Sequence, residues 1–264
     1  MLKATDRQYL RDDQYRTSTN LDIRLSMHAR FSTNPQGWQS WLVQTLDLVE
    51  DVRVLECGCG PGTLWAVNVG RIPTGVRLTL TDLSEGMARK SSEALAATGK
   101  VDVACAADVQ SVPFADDSFD IVVANHMLYH VPDRQRAAAE VVRVLRPGGR
   151  LIAATNGESH LKEFQALARE LDEAARSEAP ERAFSLENGA AQLSPWFDRV
   201  ERLDYADGLR VTDADAIVDY LRSGLIRPEV PVDELRARLA AHIDREGAFD
   251  VTKSAGVFVG VKAG

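Results

Sequence analysis

Thiols are few. Cys57, Cys59 and Cys105 are the 3 cysteines in 264 residues, an odd number that builds no disulfide framework and fits a reducing compartment. Excess positive charge is missing too. The formal net charge is −8, whereas duplex nucleic acid is bound chiefly by Lys and Arg neutralising phosphates, so no nucleic-acid partner is expected. Arg outnumbers Lys 25 to 6, which reads as genome composition rather than function. No apolar run approaches the length of a membrane span, and residues 1–16 are charged throughout without a signal-peptide core. The expectation is a cytoplasmic chain with no membrane partner. Internal repeats and low-complexity stretches are also lacking.

What is present is ordinary globular material: 45% apolar and 27% charged residues, enough to bury a sizeable core in one large domain. Short β-branched runs alternate with helical patterns, the mark of a parallel sheet with crossover helices. Val52 to Leu55, Arg77 to Thr81, Val101 to Cys105, Ile121 to Ala124 and Arg150 to Thr155 read as five strands. Helical patterns fall near 62–70, 84–97 and 134–146, the last stopped by Pro147-Gly148-Gly149. Further along, 159–178 reads as a charged amphipathic helix, 198–206 as a strand and Val257 to Lys262 as a last strand. Helices are expected near 212–223, opening at a capping-box-like Thr212-Asp-Ala-Asp215, and near 232–246. Residues 5–30 and 36–49 also look helical. The organisation predicted is one domain over 1–264: a helical lid to residue 50, a ligand-binding core over 51–155, and further helices with two final strands over 156–264.

Val54-Leu-Glu-Cys-Gly-Cys-Gly-Pro-Gly62 is a strand running directly into a glycine-rich turn that opens a helix. Glycines there let a ligand approach bare backbone N–H groups; the plain alternative is a tight strand-to-helix turn. A dinucleotide fingerprint wants Gly at the first, third and sixth positions, but the sixth from Gly58 is Thr63 and from Gly60 is Trp65, so that spacing is broken and a nicotinamide oxidoreductase is disfavoured. Asp82 closes the second strand, where a carboxylate can accept from both hydroxyls of a ribose; alone it could equally be a helix N-cap. Asp108 lies just past the third strand. All three features sit at carboxyl ends of successive strands, where open α/β sheets bind ligands.

In these features the sequence resembles the class I S-adenosylmethionine-dependent methyltransferases, in particular the small-molecule group that includes ubiquinone/menaquinone and natural-product methyltransferases. The resemblance rests on Glu56-x-Gly-x-Gly60, Asp82, Ala107-Asp108-Val109, the run Phe119-Asp-Ile-Val-Val-Ala-Asn-His-Met-Leu-Tyr-His-Val-Pro-Asp133, and Leu145-Arg-Pro-Gly-Gly-Arg-Leu151. Softer matches are Tyr15-Arg-Thr-Ser-x-Asn20, His28-Ala-Arg-Phe-Ser-Thr-Asn34, Thr155-Asn-Gly157 with His160, and Leu186-Glu-Asn-Gly189. It implies an α/β, Rossmann-like seven-stranded sheet in the order 3-2-1-4-5-7-6, with strand 7 antiparallel, helices on both faces and helical lid additions. It also implies S-adenosylmethionine as cofactor, leaving as S-adenosylhomocysteine. Glu56, Gly58 and Gly60 would hold the methionine part, and Asp82 the ribose with Leu83 against the adenine. Asp108 would meet the adenine amino group beside Val109, while Asn125 and His126 would face the reactive methyl.

The candidate bases are His126, His130 and His160, each with a structural alternative: a purely structural place for His126, capping or tethering the loop before the next helix for His130, and a helix start for His160. His126 and His130 stand four apart without the Glu of the zinc-protease motif, and Cys57 and Cys59 have no second pair at metal spacing, so no metal site is expected. Tyr15 and Phe31 are aromatic candidates for the cofactor's cation, since an aromatic face suits a sulfonium. Trp38 and Trp41 read as core or lid packing, with substrate stacking as the lesser alternative. After strand four the chain lacks the Asn/Asp-Pro-Pro-aromatic run that the resembling DNA and glutamine methyltransferases carry. With the acidic balance, this points to a small-molecule acceptor offering oxygen, nitrogen or carbon. A non-catalytic binding protein that keeps the cofactor pocket is the alternative. Dimers are common among similar proteins, so a homodimer stays open, though no patch in the sequence argues for one.

Overall fold

Strands buried on both faces should read as continuous apolar runs, and the central strands do. In the computed structural model, which describes residue 6 and residues 19–171, 183–223 and 230–264, β1 (Arg53–Cys57) and β4 (Phe119–Asn125) bury nearly every side chain. With β2 (Arg77–Asp82), β3 (Val101–Ala106), β5 (Leu145–Asn156), β6 (Arg199–Tyr205) and β9 (Ala255–Val261) they form a seven-stranded sheet in the order β3-β2-β1-β4-β5-β9-β6. Only β9 runs antiparallel, to β5 and β6 alike. This is the expected 3-2-1-4-5-7-6 order, because β7 (Gly208–Val211) and β8 (Phe249–Thr252) leave the main sheet and pair with each other.

Alternate residues feed the two faces. Leu55, Val122, Ala124 and Ala153 pack to one side with helix α5 (Arg134–Val144) and Phe184, Leu193 and Phe197. Val54, Ile121, Val123 and Ile152 pack to the other with α2 (Trp38–Thr45), Leu64 and Trp65. A third cluster joins α1 (Thr19–Phe31), α6 (Lys162–Leu171), α8 (Ala214–Ser223) and α9 (Val232–Glu246) to the β7–β8 ribbon. At roughly 25 cal/mol per Å² of apolar surface buried, this third layer has its own stabilising core and sits over the carboxyl edge of the sheet.

Several elements differ from the sequence expectation, each for a local reason. The helix expected near 62–70 is one turn, α3 (Thr63–Ala66), then a 3-10 turn. The Asn68 amide spends its donors on the Leu64 and Gln39 carbonyls at 2.8 and 3.1 Å, the kind of side-chain bond that competes with helix propagation. Of the expected helix over 36–49, only Trp38–Thr45 forms. Helix α5 stops at Val144, before Pro147, and β5 starts at once with a register shift opposite Phe119 and Ile121 that absorbs the Pro-Gly-Gly stretch. Asp213, rather than Thr212, caps α8, accepting from Asp215 N at 3.0 Å. Of the long helices expected over 5–30 and 159–178, residue 5 and the segments 7–18 and 172–178 lie outside the described residues.

Candidate functional site

In-register pairing levels the carboxyl ends of the central strands: Cys57 lies opposite Thr81 and Ala124, and Asp82 opposite Ala106. The loops that leave these strands are therefore gathered on one edge of the sheet. There a cavity of about 760 Å³ opens, within the roughly 300–1,000 Å³ typical of small-molecule sites. Glu56, Gly58, Gly60, Asp82, Leu83, Asp108, Val109, Asn125, His126, His130 and His160 all line it.

The glycine loop is shaped for close approach. Gly58, Gly60 and Gly62 have φ of 70°, 53° and 78°, the left-handed region that penalises a side chain. A Cβ on Gly58 would also stand 2.8 Å from Met127 Cβ. Beneath the loop, Glu56 is almost wholly buried and accepts from Trp65 Nε1 at 2.7 Å. Burial, relieved in part by that bond and reinforced by the Asp82 charge, pushes its carboxyl up to about 8.

Asp82 is tied to both neighbouring loops. Its Oδ2 accepts from Gly60 N at 2.9 Å and its Oδ1 from Ser84 N at 2.8 Å; each oxygen keeps a further lone pair for a ligand. Burial raises its pKa against those two bonds. The next helix, α4 (Glu85–Leu95), is capped by Ser84, whose side chain accepts from Met87 N, so Asp82 is not the N-cap. Asp108 accepts from Gln110 N and Nε2, both at 3.0 Å. Gln110, which no sequence motif marks, carries that acid on the cavity wall.

Away from these acids the wall changes character. Asn125 Oδ1 takes the Trp38 indole N–H at 3.3 Å, and the Trp38 ring lies 4.8 Å from that of His126. His126 adopts φ 56°, and its Nδ1 is buried with no hydrogen-bond partner. Burial first, then the Lys253 charge, lowers its pKa to about 4. His160 Nδ1 accepts from Ser254 N at 3.2 Å, and burial holds its pKa well below the usual imidazole range. His130 lines the rim with its ring edge-on to Tyr129 at 4.6 Å. Asp133, which accepts from Arg136 N at 3.0 Å, caps the next helix in its place.

One expected aromatic contact is not assembled here. Phe31 packs into the cluster around the β7–β8 ribbon, with the Arg30 guanidinium 4.7 Å from its ring centre, and does not line the cavity. Tyr15 lies outside the described residues. Instead Trp38, expected as packing, lies on the wall. His28 and Lys253 line it as well. The sequence signal for His28 is its place in the run His28 to Asn34; Lys253 has none, standing between two short strands like a surface turn. Burial and then the Lys253 charge lower His28 to about 3. Among the described residues, no cluster of His, Cys, Asp or Glu is arranged to hold a metal ion, and no helix is long and apolar enough to cross a membrane.

Compared with known proteins, residues 55–153 match the methyltransferase domain family. The chain is 38% identical over 116 residues to Methyltransferase GfsG of Streptomyces halstedii, covering 43% of this chain and 41% of that protein. It is 30% identical over 120 residues to a ubiquinone/menaquinone biosynthesis C-methyltransferase of Geotalea daltonii, covering 44% and 51% respectively. The matches thus span about half, or less, of these curated relatives. Among solved structures, the YcgJ protein of Bacillus subtilis superposes with a TM-score of 0.58 at 21% identity, over 86% of this chain and 98% of that one. A Haemonchus contortus phosphoethanolamine N-methyltransferase 2, solved with S-adenosyl-L-methionine, gives 0.61 at 17% identity over 98% and 60%. These two share the fold.

Proposed function

We propose that this chain transfers a methyl group from S-adenosylmethionine to a small-molecule acceptor, a reading supported by the match of residues 55–153 to the methyltransferase domain family and by the β3-β2-β1-β4-β5-β9-β6 sheet. The observation that carries it is the division of one cavity into an acidic half, with Glu56, Asp82 and Asp108 around the glycine loop, and a half lined by His28, His126, His160 and Lys253.

The acidic half fits the cofactor. A carboxyl pushed up to about 8 by burial is stabilised in its ionised form by a cation, so Glu56 suits the ammonium of the methionine part. Asp82 keeps a lone pair on each oxygen for two ribose hydroxyls, with Leu83 beside it. Asp108 and Val109 take the adenine edge, and the bare Gly58 and Gly60 backbone admits the ligand at close range. Bound there, S-adenosylmethionine supplies a methyl group already activated on a sulfonium.

The chain's own work is alignment, exclusion of water and placement of a proton. Fixing two reactants in attacking geometry is worth up to ~7–11 kcal/mol, and a general base typically 10²–10⁴-fold. His126, on the cavity wall with its Nδ1 buried and without a hydrogen-bond partner, is the candidate to receive an acceptor's proton; His130 and His160 border the same space. With its pKa at about 4, His126 is in the base form at neutral pH yet takes a proton at a cost. Alignment therefore carries the larger share.

The test is incubation with methyl-labelled S-adenosylmethionine across a panel of phenols, enols, carboxylic acids and amines. Label should leave the cofactor for at least one class and stop doing so in Asp82→Ala. Binding of S-adenosylhomocysteine with no label transferred to any class would favour a non-catalytic binding protein.

A further inference from the structure

Lys253 sits in the tight link between β8 and β9 with its side chain 6% exposed, paired with a fully buried Asp207. Asp207 also accepts from Ser32 Oγ at 2.8 Å, Asn34 N at 3.0 Å and Gly208 N at 2.8 Å. These bonds lock the segment after α1 to the β7–β8 ribbon and fix the carboxylate that holds the ammonium. Asp207 does not itself line the cavity; Lys253 does. Among the described residues, the Lys253 ammonium makes one hydrogen bond, to Asp207, and lies 5.5 Å from the centre of the Tyr205 ring. An ammonium has three N–H donors. Two are not engaged by that bond.

The groups around it answer to a particular ligand. The carboxylates lining the cavity, Glu56, Asp82 and Asp108, all belong to the tips of β1, β2 and β3; under α1, α6 and α8 the wall carries none. That half holds cationic Lys253 and Arg24 with His28, His126 and His160. Burial and the Lys253 charge keep all three imidazoles neutral near pH 7. His28 Nδ1 and His126 Nδ1 are buried ring nitrogens without hydrogen-bond partners, whereas His160 Nδ1 is taken by Ser254 N, leaving its other nitrogen to carry the proton as a donor. A protonated amine entering this half would meet Lys253 with no counter-ion of its own. A hydroxyl would find an ammonium for its oxygen with neutral imidazoles beside it. Trp38, Phe164, Tyr220 and Leu161 supply apolar wall, which suits a flat ring.

We propose that Lys253 is the residue that selects the acceptor, and that the acceptor presents an acidic hydroxyl on a flat apolar ring, a phenol or an enol, rather than an amine. This rests on the methyl-transfer reading for the role of the ligand as acceptor, but the ionic selection at Lys253 can be measured without turnover.

The experiment uses the full chain, with and without saturating S-adenosylhomocysteine, and two probes: 4-nitrophenol, whose ionised form absorbs in the visible, and 4-nitrobenzylamine, a cation at neutral pH. Bound 4-nitrophenol should ionise about one pH unit or more below the free probe, a tenfold change in ionised fraction. Lys253→Arg should keep that shift and Lys253→Met should lose it. Should Lys253→Met fail to fold with Asp207 left uncompensated, Lys253→Met combined with Asp207→Asn removes both charges while the side chain at 207 still accepts from Ser32. Titration of each variant with S-adenosylhomocysteine reports the cofactor half separately. If the wild type binds no S-adenosylhomocysteine yet shows the Lys253-dependent shift, the selection at Lys253 stands and the methyl-transfer reading falls. Absence of 4-nitrophenol binding in the presence of S-adenosylhomocysteine, an ionisation shift that survives loss of the charge, or tighter binding of 4-nitrobenzylamine would overturn the proposal.

Discussion

Binding of S-adenosylhomocysteine should displace a proton from Glu56, and the size of the effect is set by the site. The Glu56 side chain is 1% exposed, with one hydrogen bond, from Trp65, to offset its burial. Its pKa stands at about 8 against an ordinary 4.5, raised first by burial and then by the Asp82 charge. In the free protein roughly one molecule in a hundred has this carboxylate ionised at pH 6, and about half at pH 8. A ligand whose ammonium pairs with the carboxylate must bind the ionised form. Its affinity should therefore be about fifty-fold weaker at pH 6 than at pH 8, some 2.3 kcal/mol. Calorimetry at pH 6 in buffers of different ionisation heat should show about one proton released per site. Glu56→Gln, which still accepts from Trp65, should flatten the pH dependence. Stability moves the opposite way. A carboxyl raised in the folded state binds more protons there than in the unfolded chain between pH 4.5 and 8. Stability present below pH 4.5 is thus lost as pH rises through 8, up to roughly 5 kcal/mol, and Glu56→Gln should melt above the wild type at pH 8. Affinity that is level from pH 6 to pH 8, with no proton released, would refute the reasoning.

Other parts of the site carry their own expectations. Gly58→Ala should cost about 1–2 kcal/mol for a side chain at φ 70° and more for the 2.8 Å approach to Met127. Gly99→Ala, at φ 63° in open space, should cost the backbone part alone; equal costs in urea denaturation would contradict the close approach. For His126→Ala, turnover should fall further than affinity for S-adenosylhomocysteine. Because the imidazole titrates at about 4, it is deprotonated throughout neutral pH, and no limb of the wild-type rate between pH 6 and 9 should disappear with it. A limb near pH 6.5 that vanishes in the variant would contradict that assignment.

The central sheet was legible because its strands are buried on both faces and read as apolar runs such as Val54-Leu55 and Ile121-Val122-Val123. The strand-tip acids were legible because a parallel sheet delivers every carboxyl end to one edge. The β7–β8 ribbon was not. Gly208–Val211 and Phe249–Thr252 are four-residue strands paired across α8 and α9, too short and too distant for alternation to register. The features that depend on that ribbon were hidden with it. Lys253 in Thr252-Lys-Ser-Ala looks like a solvated turn, and it is buried only because the ribbon and the segment after α1 close over it through Asp207. Phe31 escapes the sequence reading for the same reason, since the ribbon draws it away from the cavity. Helix 62–70 is shorter than its pattern suggests because the Asn68 amide bonds the Leu64 carbonyl one turn back and also the carbonyl of Gln39, a tertiary neighbour that no local pattern reveals.

The most direct test of the central claim is calorimetric titration of the wild-type chain with S-adenosylhomocysteine at pH 8, repeated with Asp82→Ala and with NADH. The account predicts saturable binding of S-adenosylhomocysteine by the wild type and none of NADH. In a folded Asp82→Ala it predicts a loss of about a hundredfold or more, since two ribose hydroxyls lose a charged acceptor at roughly 1.5–3 kcal/mol each. Unchanged affinity in that variant, or binding of NADH in place of S-adenosylhomocysteine, would contradict it.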